Sequence, residues 1–279
     1  MIHSTKKTPA RESEWVSTLL YHDLLILDKP ITMATSDKDT VLVEVIDNED
    51  DFTEGYQCIS EAFGRQTHDG IWTAFNPGWE TPEGQAAGVN RMVQRWRSVT
   101  TDNKGNRNTV FLKATLPDGS GRRAIVGFAI WVQASAVEGY GNIASDDLKM
   151  DLEPLYPGNE TEQRFLRQML RSLTKRRVEY VRAKATADPP AIMALDLCVT
   201  HPAFQRRGIA SKLVQWGLDE ARRRGIPDAT TEASSMGRHA YVKLGFKPQG
   251  SDIVYEIDDE FQSREKPPNI FMVYSHDSE

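Results

Sequence analysis

The stretch that most limits what this chain can fold into is Leu197-Cys-Val-Thr-His-Pro-Ala-Phe-Gln-Arg-Arg-Gly-Ile-Ala-Ser211. An apolar run, Ala191 to Val199, reads as a strand, a short loop follows, and Arg206 to Arg224 then reads as a helix. That helix carries two neighbouring apolar rows, Ile209/Leu213/Trp216 and Ala210/Val214/Gly217/Ala221. Arg222 to Arg224 suit the negative end of its dipole, and Gly225 with Pro227 stop it. The first N–H groups of a helix have no internal partners and sit at its positive end, so this junction is an anion site in waiting. Gly208 lets backbone approach a ligand, Ala210 keeps the next turn clear, and Arg206 and Arg207 add cationic reach. The local physics points to a pyrophosphate held by backbone amides from Arg206 to Ser211. A plainer reading stays open, in which Gly208 only eases a loop into a helix. A P-loop is excluded because no Gly-Lys-Ser/Thr follows in order, and a dinucleotide fold fits poorly because its glycine triplet is missing.

The remaining elements follow from period and punctuation. A strand is expected at Val41 to Ile46, a helix from the Asn48–Asp51 capping group to about Phe63, and an irregular stretch from Gly64 to Gly84. A second helix spans about Gln85 to Arg97. Asn108 to Leu116 and Ala124 to Gln133 form a hairpin about the turn Pro117–Gly121. An insert, about 134–188, holds a long helix from Glu160, whose Lys175-Arg176-Arg177 run reads as a solvated face and only secondarily as a site for an acidic partner. After the junction come a strand at Thr230 to Ala233, a helix at Gly237 to Leu244, and strands at Asp252 to Ile257 and Asn269 to Tyr274. This order describes a mixed α/β (α+β) domain over 40–279, preceded by an extension over 1–39.

Composition narrows function by exclusion. The 279 residues are 39% hydrophobic and 27% charged with a net charge of −6, ordinary for a globular chain and wrong for wrapping nucleic acid. The most apolar early stretch, Leu19 to Ile31, is interrupted by His22, Asp23, Asp28 and Lys29 and is too short to span a membrane. Met1 to Glu12 has no apolar core, so no secretory signal is read there. Cys58 and Cys198 are no disulfide framework, and a reducing, cytoplasmic setting is expected. The six histidines show no metal-ligand spacing, so no metal is expected. Cys198 beside His201 invites a nucleophile reading, but a lone cysteine in an apolar strand is ordinarily a small core residue, and His201 reads as a loop residue.

Gln205-Arg-Arg-Gly-Ile-Ala210 resembles the Arg/Gln-x-x-Gly-x-Gly/Ala signature of the GNAT superfamily of acetyl-CoA-dependent N-acetyltransferases. The resemblance extends to Leu195-Asp-Leu-Cys-Val-Thr-His-Pro202, which looks like the family's fourth strand, and to Glu232-Ala-Ser234, which looks like the end of its fifth. Gly237-Arg-His-Ala-Tyr-Val-Lys-Leu-Gly-Phe246 is similar to the helix that follows. The likeness is strong over about 190–250, follows element order over 40–133, and is absent from the extension and the insert.

The resemblance implies a central, mostly antiparallel twisted sheet splayed between its fourth and fifth strands and flanked by helices. It implies acetyl-CoA as co-substrate, its pantetheine arm against Leu197, Cys198 and Val199 and its pyrophosphate at Gln205, Arg206, Arg207, Gly208, Ile209, Ala210 and Ser211. Acetyl transfer to a primary amine by direct attack is then expected, with no protein nucleophile. Tyr241 aligns with the family's general acid near the departing sulfur, or else is an aromatic buried by its helix. Asp196 and Glu232 are the candidate bases, provided that burial raises their pKa, or else strand-end carboxylates facing solvent. Ser234 stands where many relatives carry an asparagine that contacts the cofactor. Phe63, His68, Trp72, Phe75 and Trp79 either wall an acceptor pocket or simply pack. A small-molecule amine acceptor is expected, with neither nucleic acid nor membrane as partner, in a monomer or homodimer. The alternatives are a protein lysine acetyltransferase and a non-catalytic CoA-binding protein of the same fold.

Overall fold

In a computed structural model, described over residues 40–144 and 150–276, the chain builds one eight-stranded sheet with helices on both faces. The extension expected over 1–39 lies outside the described residues. The strands are β1 (Leu42–Val45), β2 (Thr109–Pro117), β3 (Arg123–Ser135), β4 (Asn142–Ile143), β5 (Ala191–Thr200), β6 (Asp228–Ala233), β7 (Lys247–Pro248) and β8 (Ile270–Ser275). Their order is β1-β2-β3-β5-β6-β8-β7, with β4 pairing β3. All neighbours are antiparallel except β5 with β6 and β3 with β4.

The helices are α1 (Asp51–Ile59), α2 (Gly70–Phe75), α3 (Pro82–Arg97), α4 (Glu160–Ala183), α5 (Ile209–Arg224) and α6 (Ser235–Lys243). Side-chain alternation on β2, β3 and β5 feeds two cores. On one face Leu112, Ala129, Trp131 and Met193 meet Leu213, Val214 and Leu218 of α5 and Tyr241 of α6. On the other, Phe111, Phe128 and Ile130 meet Phe52 and Ile59 of α1. The fit is close. A Cβ on Gly217 would stand 1.9 Å from the Trp131 ring, so only glycine lets α5 lie against the sheet there.

Three expectations change. The stretch from Gly64 to Gly84 is not irregular throughout. α1 runs on into a π-helical segment, Ser60–Gln66, and α2 follows, capped by the Asp69 carboxylate. α3 begins at Pro82, where Thr81 Oγ1 accepts from the Gly84 N–H at 3.1 Å. Asp252 to Ile257 is not a strand. Ile253, Tyr255 and Ile257 pack instead with Phe165 and Met169 of α4, and Ser172 Oγ takes the Glu256 N–H at 2.9 Å. The flank of β8 away from β6 is taken by the short β7.

One break in the sheet positions the site. β5 and β6 pair only through Met193–Ala229, Ala194–Thr230 and Leu195–Thr231. Beyond these, β5 stays on β3 to Thr200 while β6 stays on β8 to Ala233. The sheet therefore splays, as expected, between these two strands. A bulge lies at the fork, for Trp131 faces Leu195 and Ile130 faces Leu197, leaving Asp196 as the extra residue.

Candidate active site

The fork opens into a cavity of about 250 Å³. β5 contributes Leu195 to Cys198, β6 contributes Thr231 and Glu232, and Ser234 and Tyr241 come from the start and body of α6. From the α1–α2 side come Phe63, Asp69, Trp72 and Phe75. α4 supplies Leu170, Leu173, Thr174 and Arg177, whose spacing places them on one helix face. The aromatic wall is braced, since the Trp72 ring lies 6.0 Å from Tyr56, 6.4 Å from Phe63 and 5.6 Å from Trp79.

The charges at the fork are paired. Asp196 and Glu232 are the first residues of β5 and β6 past the last strand pair, Leu195 with Thr231. Arg177 donates from Nη1 to Asp196 Oδ1 at 2.9 Å and from Nε to Glu232 Oε1 at 3.0 Å, and its Nη2 reaches Glu232 Oε2. Arg95 of α3 donates to the other Asp196 oxygen at 2.7 Å. Burial opposes ionisation of Asp196, but the charges of Arg95 and Arg177 outweigh it and hold its carboxyl well below the usual range. Burial likewise opposes the charge on Arg177, and Glu232 and Asp196 more than restore it. The raised pKa that a base at Asp196 requires is thus the reverse of what surrounds it. Arg177 also corrects the reading of Lys175 to Arg177 as a solvated face, because its side chain is only 13% exposed. Arg176 is engaged too, with its guanidinium against the Gln249 carbonyl and 5.5 Å from the Phe271 ring centre.

Tyr241 is 7% exposed and its hydroxyl pairs with the Cys198 thiol. Burial, then the neighbouring thiol, push the Tyr241 hydroxyl well above its ordinary value. Burial pushes the Cys198 thiol up to about 12, with the Tyr241 hydroxyl acting against it. A protonated phenol and a protonated thiol therefore face each other in the fork at neutral pH. Ser234 caps α6, its Oγ accepting from the Gly237 N–H at 3.3 Å. Val199 sits apart from the cavity lining, its side chain in the core against α1.

The junction after β5 forms a separate feature. α5 starts at Ile209, not Arg206, because Arg206 (φ 65°) and Gly208 (φ 75°) are left-handed and a right-handed helix cannot include them. His201 Nδ1 accepts from the Ala203 N–H at 3.2 Å and shapes the loop, as a loop residue. Reciprocal amide bonds between Gln205 and Gln66, at 2.8 and 3.1 Å, fasten the loop to the segment after α1. Among the described residues no side chain caps the N-terminus of α5, and a Cβ on Gly208 would meet nothing within 4 Å. Arg206, Arg207 and Gly208 are exposed. Open N–H groups, a positive helix end and two arginines fit a diphosphate there, and the unpaired reach of β5 past Leu195 fits an extended polar chain.

Sequence reading missed Asp69, Arg95, Arg177 and Asn269. The signal for Arg177 was present, since the row Leu170, Leu173, Thr174, Arg177 continues a cavity-facing stripe of α4. Asp69 before Ile71 and Trp72 is legible as a helix cap, but its place in the cavity comes from tertiary packing. Among the described residues no group of three or more His, Cys, Asp or Glu is arranged to hold a metal, and no helix is long and apolar enough to cross a membrane.

Comparison with known proteins places this geometry. Residues 144–246 match the model of the acetyltransferase (GNAT) family. No curated protein matches the chain by sequence. Among solved structures, mosquito arylalkylamine N-acetyltransferase like 5b superposes with a TM-score of 0.54 at 13% identity, over 85% of this chain and 100% of that one. Arylalkylamine N-acetyltransferase 2 from Aedes aegypti gives 0.54 at 15% identity over 85% and 100%. A mutant agmatine N-acetyltransferase in its apo form gives 0.52 at 12% over the same shares. At these identities the likeness is one of fold. Together with the fork and the α5 loop, the matched segment makes this chain similar, through residues 144–246, to the acetyltransferase (GNAT) family.

Proposed function

We propose that this protein transfers an acetyl group from acetyl-CoA to the primary amine of a small molecule by direct attack, both substrates being bound together. The observation that carries this reading is the fork itself. Its unpaired β5 edge runs from the cavity at Cys198 and Tyr241 toward the open N-terminus of α5. In this reading the N–H groups of Arg206 to Ser211 hold the diphosphate, and Leu197 to Val199 hold the pantetheine arm. The thioester supplies an acyl carbon activated for attack.

Tyr241 is the general acid. Its buried hydroxyl lines the fork beside Cys198 and carries a proton at neutral pH for a departing thiolate to take. Asp196 and Glu232 are assigned to the clamp around Arg177, not to proton abstraction. Residues 40–279 constitute the transferase domain, with α4 in an insert over 134–188 that walls the acceptor side. A small acceptor is supported by the cavity's size, slightly under the ~300–1,000 Å³ of drug-sized pockets. The fold likeness to enzymes named for arylalkylamines and agmatine points the same way. The test is thiol release from acetyl-CoA on a panel of free amines beside lysine-containing peptides. Release with free amines supports the reading, and release with peptides alone contradicts it.

A further inference from the structure

Four charged side chains line the cavity: Asp69, Arg177, Asp196 and Glu232. Arg177 neutralises Glu232 and, with Arg95 behind it, Asp196, so two guanidinium charges offset two carboxylates. Asp69 is left over. Its Oδ1 accepts from the Ile71 N–H at 3.1 Å and the Trp72 N–H at 2.8 Å, and among the described residues no guanidinium or ammonium pairs with it. Burial raises its pKa above the ordinary carboxylate value, against those two N–H bonds. The titratable neighbour on the side of the 252–258 segment is Tyr255, whose hydroxyl donates to Asn269 Oδ1 at 3.2 Å and is itself pushed up by burial, then by Asp69 and Glu232. The cavity wall beside Asp69 is apolar and aromatic, formed by Phe63, Ile71, Trp72 and Phe75.

We infer that Asp69 receives the acceptor's ammonium group and takes its first proton, and that the acceptor is a monocationic amine with an apolar or aromatic body. This rests on the acyl-transfer reading above. An uncompensated carboxylate in a partly dry cavity pairs with one positive charge, and a second, buried there without an anion of its own, would bear an uncompensated desolvation cost. The step balances as follows. The ammonium gives one proton to the Asp69 carboxylate, and the freed lone pair forms the C–N bond at the thioester carbon. The C–S bond breaks with its electron pair going to sulfur. The second N–H proton passes to the Tyr241 oxygen as that hydroxyl delivers its own to the sulfur, and Asp69 gives its proton up to water once the amide has left.

A capping role alone is the competing account, and Asp69→Asn separates the two. Asparagine caps a helix about as well as aspartate, so the Ile71 and Trp72 N–H groups keep an acceptor while the charge is gone. The probes are phenethylamine, putrescine and a lysine-containing peptide, with acetyl-CoA affinity followed by calorimetry. The expected result is that Asp69→Asn loses kcat/KM for phenethylamine by about 100-fold or more, while acetyl-CoA affinity and melting temperature hold. Asp69→Glu should recover part of the loss, and the native enzyme should favour phenethylamine over putrescine. The native kcat/KM should also fall in acid as Asp69 protonates, a limb absent from Asp69→Asn. Should Asp69→Asn fold poorly, Asp69→Ser, which keeps a capping oxygen, repeats the test. Native-like turnover by the uncharged variants overturns the inference and leaves the acyl-transfer reading standing. So does a native preference for putrescine. No thiol release by the native enzyme with any of the three amines overturns both.

Discussion

Asp196 and Glu232 are the two residues at which the sheet comes apart, and they share one guanidinium, that of Arg177. Each follows the last parallel pair on its strand, so a side chain from α4 spans the mouth of the fork. The arrangement fixes the width of the opening between the two strands. It does so with charges whose removal is costly. Replacing Arg177 by Met strands the Glu232 carboxylate, 4% exposed, beside a second negative charge. Breaking a buried pair from one side costs about 3–5 kcal/mol. Arg177→Met should therefore lower the unfolding free energy by an amount of that order in urea, with kcat reduced further than stability alone explains. Arg177→Lys should rescue only in part, because one ammonium does not reproduce the fork.

The pH dependence of stability has a definite sign at this clamp. The folded pKa of Asp196 is depressed, so its contribution is present above the ordinary carboxylate value near 4 and is lost as pH falls below it. Urea midpoints measured through the acid range should drop in the native protein. The drop should be smaller in Asp196→Asn, which starts less stable at neutral pH.

Tyr241→Phe keeps the packing of the ring and removes the proton. If Tyr241 is the acid, kcat should fall by about 10²–10⁴-fold with acetyl-CoA affinity little changed. Because the native phenol titrates well above 10, native activity should not decline between pH 8 and 10 on its account. Cys198→Ala is the informative partner. It frees the Tyr241 hydroxyl from the thiol it now faces, and activity should be kept or raised.

Much of this site was legible because it is local. The strand, the Gly208 turn and the α5 rows lie within one continuous stretch, and Tyr241 lies on a helix whose stop at Gly245 is written beside it. What was lost was long-range. Arg177 sits 19 residues from Asp196 and 55 from Glu232, and a Lys-Arg-Arg run on a helix looks like solvated surface until the fold puts one of the three inside. Asp252 to Ile257 alternates as a strand does, yet its Glu256 N–H goes to Ser172 Oγ of α4, and the Asp258 N–H just past it goes to Gln168 Oε1. The left-handed Arg206 was hidden as well, because nothing about arginine announces a positive φ.

Packing between α5 and the sheet gives a prediction independent of chemistry. Gly217→Ala drives a methyl into the Trp131 ring, whose Nε1 donates to the Leu213 carbonyl at 3.3 Å. Overpacking of this kind costs about 1–3 kcal/mol, and the melting temperature should fall accordingly. Gly208→Ala is the contrast. Space is open there, so only the left-handed backbone resists, at roughly 1–2 kcal/mol. Its effect should fall on acetyl-CoA affinity more than on folding.

The most direct test of the account is calorimetric titration of the native protein with acetyl-CoA, set beside Gly208→Val. The account predicts saturable one-to-one binding to the native protein and clearly weaker binding to the variant, because the N–H groups of Arg206 to Ser211 hold the diphosphate. A native protein that takes up no acetyl-CoA, or a variant that binds it equally well, would contradict it.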